Sequence, residues 1–192
     1  MNLNNTKYVI LSVMGPHAGE DEAKIYQRKT LDIDNTDMTF WLIRSNQAKP
    51  DAVQQMCKAA KSESSDIYCY FIDPSSRLGA SPTKCAESAK AYSQDNITWR
   101  DFPSGLGPVT GRIDKGAYAL VFREIKLSNF NIDLWDYSNY FKQTDPIIFR
   151  QGGSTVCSVQ KNSKAHPKKM QSNLRVVRAV ARLTEPYEVW LK

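Results

Sequence analysis

The stretch "AYALVFREIKL", Ala117 to Leu127, limits the possible folds more than any other part of the chain. Successive side chains of a strand point to opposite faces. Tyr118, Leu120, Phe122, Glu124 and Lys126 therefore share one face, and Ala119, Val121, Arg123, Ile125 and Leu127 share the other. Neither face is wholly polar, so the strand is expected to be central in a sheet for most of its length, with apolar material on both sides.

Other segments supply its neighbours. "KYVILSVMG" is apolar and β-branched and stops at Gly15-Pro16; "MTFWLIRS" and "DIYCYFIDP" are aromatic-rich runs of strand length. "HAGEDEAK" suits the acidic start of a short helix, and "IYQRKTLDI" after it reads as extended. "PDAVQQMCKAAKS" predicts a helix with Pro50 at its first position and Val53, Met56, Cys57 and Ala60 on one stripe. "SPTKCAESAKAYSQ" reads as a second short helix with Cys85, Ala89 and Tyr92 inward.

"NITWRDFPSGLGPVTGRIDKG" reads as one short strand and a long Gly/Pro-interrupted loop. "DPIIFRQGGSTVCSV" reads as strand, turn and strand, which places Cys157 in a strand. The terminal "LRVVRAVARLTEPYEVWLK" is ambiguous: Arg175, Arg178 and Arg182 fit one helical face, whereas the β-branched content and the Glu185-Pro186 turn favour a closing hairpin, which is the preferred reading. With 192 residues, 41% hydrophobic, the chain is long enough for one well-buried core. The expectation is α+β: a single domain over 1–192, a mixed curved or barrel-like sheet with two or three helices, and a polar basic loop at about 160–173.

Charge is unevenly distributed. Met1 to Tyr140 carries 16 Lys+Arg against 17 Asp+Glu, whereas Phe141 to Lys192 carries 10 against 3, so the net +6 resides in the last quarter. Concentrated positive charge attracts phosphate backbones through counterion release, which makes nucleic acid or another polyanion the first partner to consider. Lys164, Lys168 and Lys169 suit sequence-independent phosphate contacts, and Arg175, Arg178 and Arg182 suit forked phosphate contacts and stacking. Of four tryptophans, Trp41 and Trp190 read as core, while Trp99 and Trp135 read as the pair facing a base.

Several chemistries find little footing. The chain has no P-loop, GxSxG, HExxH or CxxC, and "SGLGPVTG" lacks the lysine and context of a phosphate loop. Cys57, Cys69, Cys85 and Cys157 suit neither a zinc ribbon nor a disulfide framework, and no cofactor or metal is expected. His17 beside Glu20, Asp21 and Glu22 reads more simply as an acidic helix start than as a metal site. No apolar run spans a bilayer and no export leader is evident, so the protein is read as cytoplasmic, without a membrane partner. The enzymatic alternative is a hydrolase or transferase acting on an anionic substrate through Cys157 and His166, or through carboxylates such as Asp133 and Asp136. A third alternative is an accessory factor that binds an acidic protein.

"FWLIRSN", Phe40 to Asn46, resembles the opening strand of YTH-type modules, and "DPIIFRQGG", Asp145 to Gly153, is similar to a late strand and turn of the same PUA-like group, which includes EVE modules. The resemblance implies that Arg44 contacts phosphate, that Ser45 and Asn46 contact the nucleotide, and that aromatic side chains enclose a flipped base. The sequence departs from such modules after the first helix, where Ser62 to Asp66 contains no tryptophan, so that Trp99 would have to substitute for it.

Overall fold

The two-sided apolar strand is the first part of β6 (Ala117–Asp133), a 17-residue strand whose Ala117 to Phe122 are all buried. The computed structural model describes residues 3, 6–16, 19–44, 50–73, 87–111, 113, 117–140, 157–161 and 174–192. Chain order is β1 (Tyr8–Val13), α1 (Glu22–Thr36), β2 (Thr39–Arg44), α2 (Pro50–Ser62), β3 (Tyr68–Ile72), β4 (Ala91–Ser93), β5 (Arg100–Asp101), β6, a 3-10 turn (Leu134–Asp136), β7 (Tyr137–Asn139), β8 (Cys157–Lys161) and β9 (Leu174–Leu191). One sheet joins the strands in the order β2-β6-β9-β3-β1-β8-β7, with β4 on the end of β9 and β5 on β4. Among the described strands only β1 and β3 are parallel, so the sheet is mixed and the fold is α+β.

Strong curvature shapes the sheet. Trp41 on β2 donates from Nε1 to Ser12 Oγ on β1 at 3.2 Å, although β6, β9 and β3 lie between those strands. In a flat sheet four strand spacings would separate them by about 19 Å. The concave face holds Ile10, Ile43, Phe71, Tyr118, Leu120 and Phe122, and Val53, Met56, Cys57 and Ala60 of α2 close over it. The convex face carries two smaller cores. Val9, Leu11, Tyr70, Val177 and Val180 pack with Leu134 at one end, and Phe40, Val121, Val189 and Leu191 pack with Val109 at the other.

The stretch expected to be extended, "IYQRKTLDI", is instead the body of α1. Its inward positions are Ile25, Lys29 and Asp32, and two charges on the buried stripe hide the helical period. Asp21 caps the start by accepting from the Lys24 backbone N–H at 2.8 Å, and Asp37, at φ 60°, ends it with its N–H on the Ile33 carbonyl. The expected second short helix is corrected over Ala91–Ser93, which is β4. Tyr92 packs against Phe40 and Phe102, and Ala91 exchanges hydrogen bonds with Lys192, so pairing with the end of β9 outweighs a weak helical pattern. Cys85 lies outside the described residues, as does the strand and turn expected around Gly152-Gly153.

The expected closing hairpin is also corrected: β9 is one 18-residue strand. Glu185-Pro186, a cis peptide, sits inside it. Pairing runs from Leu120↔Glu188 to Phe122↔Leu183, so β9 carries three more residues than β6 over this interval and then rejoins the ladder. The turn residues are absorbed as an outward insertion because β6 pairs with β9 on both sides of them.

Lys29 and Asp32 link α1 to both β2 and the Gly/Pro loop. Asp32 Oδ1 accepts the Gly107 N–H at 2.7 Å, and its Oδ2 accepts Thr39 Oγ1 at 2.6 Å and lies 3.5 Å from Lys29 Nζ. Lys29 also donates to the Phe40 carbonyl at 2.5 Å. A Cβ on Gly107 would come within 2.8 Å of Asp32 Oδ1, so glycine is required there for close approach. Burial, with the neighbouring Arg28 charge, pulls the Lys29 ammonium down to about 8, and Asp32 only partly offsets this. Replacing Asp32 with Ala takes the acceptor from the buried Thr39 hydroxyl and the half-buried Gly107 N–H and leaves the buried Lys29 with the Phe40 carbonyl but no counter-ion. Urea denaturation of Asp32→Ala is expected to show a loss of about 3–5 kcal/mol, with the secondary structure retained at low denaturant.

Candidate nucleic-acid interface

The basic connection between β8 and β9 is fixed at both ends by strand register. Lys161, the last residue of β8, pairs with Tyr137, and Leu174, the first of β9, pairs with Asp133. Only the 3-10 turn Leu134–Asp136 separates those two partners, and its middle residue is Trp135. The turn forms because Asp133 accepts the Trp135 backbone N–H at 3.1 Å, and because Leu134, 1% exposed, fills the convex core. Trp135 is left half-buried beside both anchor points. Lys164, His166, Lys168 and Lys169 themselves lie outside the described residues.

The three arginines of β9 differ in their surroundings. Arg175 pairs with Ile132 and is half-buried close to Trp135 in the ladder. Arg178 is the extra residue between the pairs Phe71↔Ala179 and Ile72↔Val177 and is exposed. Arg182 lies between two carboxylates, with Nε 3.5 Å from Glu124 and Nη1 3.6 Å from Asp66. Lys126 is on the same Glu124 at 2.7 Å, and its hydrogen bond holds that carboxyl below its ordinary range. Arg182 therefore belongs to a mixed-charge cluster rather than a cationic strip.

Trp99 and Trp135 are not brought together. Trp99 precedes β5, where Lys192 Nζ sits 4.3 Å above its ring, and this is the end of β9 opposite to Leu174. The 17-residue β6 runs between the two ends, on the order of 50 Å if straight. Arg44 ends β2 opposite Ala117, also away from Trp135, and Ser45 and Asn46 lie outside the described residues. Cys157 pairs with Leu11 in the sheet, while His166 is outside the described residues.

The remaining titratable groups are mostly accounted for by structure. Glu20 holds Arg28 through two hydrogen bonds at 3.0 and 2.6 Å, and Asp21 caps α1, so the acidic stretch is the start of a helix. Burial pushes the Cys57 and Cys69 thiols up, which suppresses the reactive thiolate. Among the described residues no group of three or more His, Cys, Asp or Glu is arranged to hold a metal, and no helix is long and apolar enough to cross a membrane.

One group escaped the sequence reading. Glu188 is 4% exposed, and neither carboxylate oxygen has a hydrogen-bond partner. It shares a rung with Leu120 and Trp41, next to the rung of Trp190, Tyr118 and Ile43, and so faces the concave core. The signal was available: in "YEVWLK" the alternation that turns Trp190 inward also turns Glu188 inward. Burial pushes its carboxyl up to about 7; the Gln54 amide of α2 partly offsets this and the Asp51 charge adds to it. Comparison with protein-family models, curated proteins and solved structures finds no match for this chain.

Because the Glu188 carboxyl is raised in the folded state, the stability it allows is fully present below its ordinary value of 4.5 and is lost as pH rises through about 7. Glu188→Gln is therefore expected to be more stable than the parent protein at pH 8, by up to about 3 kcal/mol. Urea midpoints measured across pH should coincide below about pH 4.5, separate as pH rises to about 7 and stay apart above it.

Proposed function

We propose that the protein is a nonenzymatic nucleic-acid-binding module whose interface is the end of the sheet where β7, β8 and the start of β9 meet. The observation that carries this reading is the register: both ends of the Lys-rich connection are pinned within two residues of Trp135, with Arg175 and Arg178 following on β9. Cations there would hold phosphates, and the indole would offer a stacking surface for an unpaired base. Single strands fit this arrangement better than duplex, because an indole reads a base only where the base is unstacked. Cys57 and Cys69 are free buried thiols, as the reducing cytoplasm permits, and a cytoplasmic protein has ready access to RNA.

The proposal separates the two exposed-side tryptophans. Trp99 already carries Lys192 over its ring at the far end of β9, so it contributes little to this interface. Arg44 belongs, on this reading, to the β2 end and not to the phosphate-binding face.

Fluorescence anisotropy with a labelled single-stranded RNA, and with the matching DNA, tests the proposal. Affinity should fall steeply with added salt, and the double charge reversal Lys168→Glu with Lys169→Glu should weaken binding to every sequence alike. Trp135→Ala should cost about 1–3 kcal/mol of binding, while Trp99→Ala should leave it nearly unchanged. Binding that ignores salt, or that depends on Trp99 and not Trp135, would overturn the assignment.

A further inference from the structure

Glu188 presents a problem that the nucleic-acid reading leaves untouched. Its carboxylate is more than nine-tenths buried and has no counter-ion among the described residues, and the Gln54 amide approaches it without closing a well-formed hydrogen bond, whereas the other buried charges, Lys29 and Asp32, satisfy each other and the backbone around them. An unpaired buried carboxylate costs several kcal/mol, and an amide or apolar side chain of similar volume would pack without that cost.

The backbone beside it is also unusual. The three-residue insertion in β9 ends immediately before Glu188, and Tyr187, its last residue, has φ 65°. A bulky residue in the left-handed region is strained, and such strain persists where the surroundings force a particular side-chain direction. Here the insertion resets the register so that Glu188, Trp190 and Tyr118 face the concave side together.

We propose that Glu188 is the anionic element of a binding site for a small organic cation, a protonated amine, guanidinium or quaternary ammonium group, seated between α2 and the aromatic rings of β6 and β9. Tyr118 and Trp190 stand 6.1 Å apart between ring centres, and Tyr187 and Trp41 pack at the edge of the same core with part of their surfaces outside it. Indole and phenol faces attract organic cations, most strongly where water is excluded. The groups facing Glu188 are Asp51, Gln54 and Cys57 from α2 and Tyr118 from β6. Burial, and after it the Glu188 charge, raises the Cys57 thiol and the Tyr118 phenol, and Asp51 adds negative charge, so a cation meets an acid and no competing base there. Lys61, near Tyr187 on the outside, is already paired with Glu185. A hard metal ion would require six or more oxygens, and an aromatic surround does not provide them.

This inference stands apart from the nucleic-acid proposal, because Glu188 and Trp135 lie at different ends of β6. The test is a titration of the full chain, following tryptophan indole N–H resonances by NMR, with tetramethylammonium, ethylammonium and ethylguanidinium chlorides. Sodium chloride at equal ionic strength and neutral tert-butanol serve as controls, and Trp190→Phe assigns the reporting signal.

The expected result is a saturable shift of the Trp190 signal by at least one organic cation and by neither control. Glu188→Gln, which keeps the volume and removes the charge, should weaken that binding about tenfold or more while remaining folded. Affinity should rise as pH increases through neutrality, since the cation binds the ionised carboxylate. Tighter binding of a lysine- or arginine-containing tripeptide than of the free ion would identify a chain-borne cation, and weaker binding a free metabolite; both outcomes support the site. Shifts that are absent or non-saturating, or binding unchanged in Glu188→Gln, overturn it.

Discussion

The antiparallel pairing of β6 with β9 is the constraint on which the rest of the structure depends. Both strands are far longer than their neighbours, and they carry β2 on one side and β3 and β4 on the other. Two strands of this length cannot stay flat, because each has an intrinsic twist and the ladder contains register shifts at Leu120/Phe122, Phe122/Glu124 and Leu127/Phe130. The resulting curl brings Trp41 to Ser12 and Phe71 and makes a concave interior deep enough for α2 to close.

The strands and α2 were legible because their apolar spacing is undiluted: Val9, Ile10 and Leu11 of β1, Tyr68 to Ile72 of β3 and the stripe of α2 all point where the pattern says. α1 was not legible because Lys29 and Asp32 occupy inward positions, and their mutual contact, the Phe40 carbonyl, the Thr39 hydroxyl and the Gly107 amide make that burial tolerable. The end of the chain misled for a different reason. Glu185-Pro186 carries the local chemistry of a turn, but β6 continues opposite on both sides, and a long-range partner cannot be seen from local sequence. The same limit applies to the candidate site. The surplus of positive charge was countable, yet pairing the basic segment with Trp135 rather than Trp99 required knowing that Tyr137 meets Lys161 and that Asp133 meets Leu174.

Charge varies along the β6–β9 ribbon. Arg175 and Arg178 lie toward the Leu174 end with Asp133 and Asp136 close by, the middle is neutralised where Arg182 and Lys126 meet Glu124, and a buried acid sits further on at Glu188.

The contact between Trp41 and Ser12 has a mechanical consequence. Among the described residues β2 meets β1 through side chains and not through a backbone ladder. A ladder must break several amide bonds to part, whereas this contact rests on an indole hydrogen bond and the packing of the same ring on Phe71. Slow breathing of the molecule should begin there, exposing the concave interior from the β2 side while the long strands stay joined.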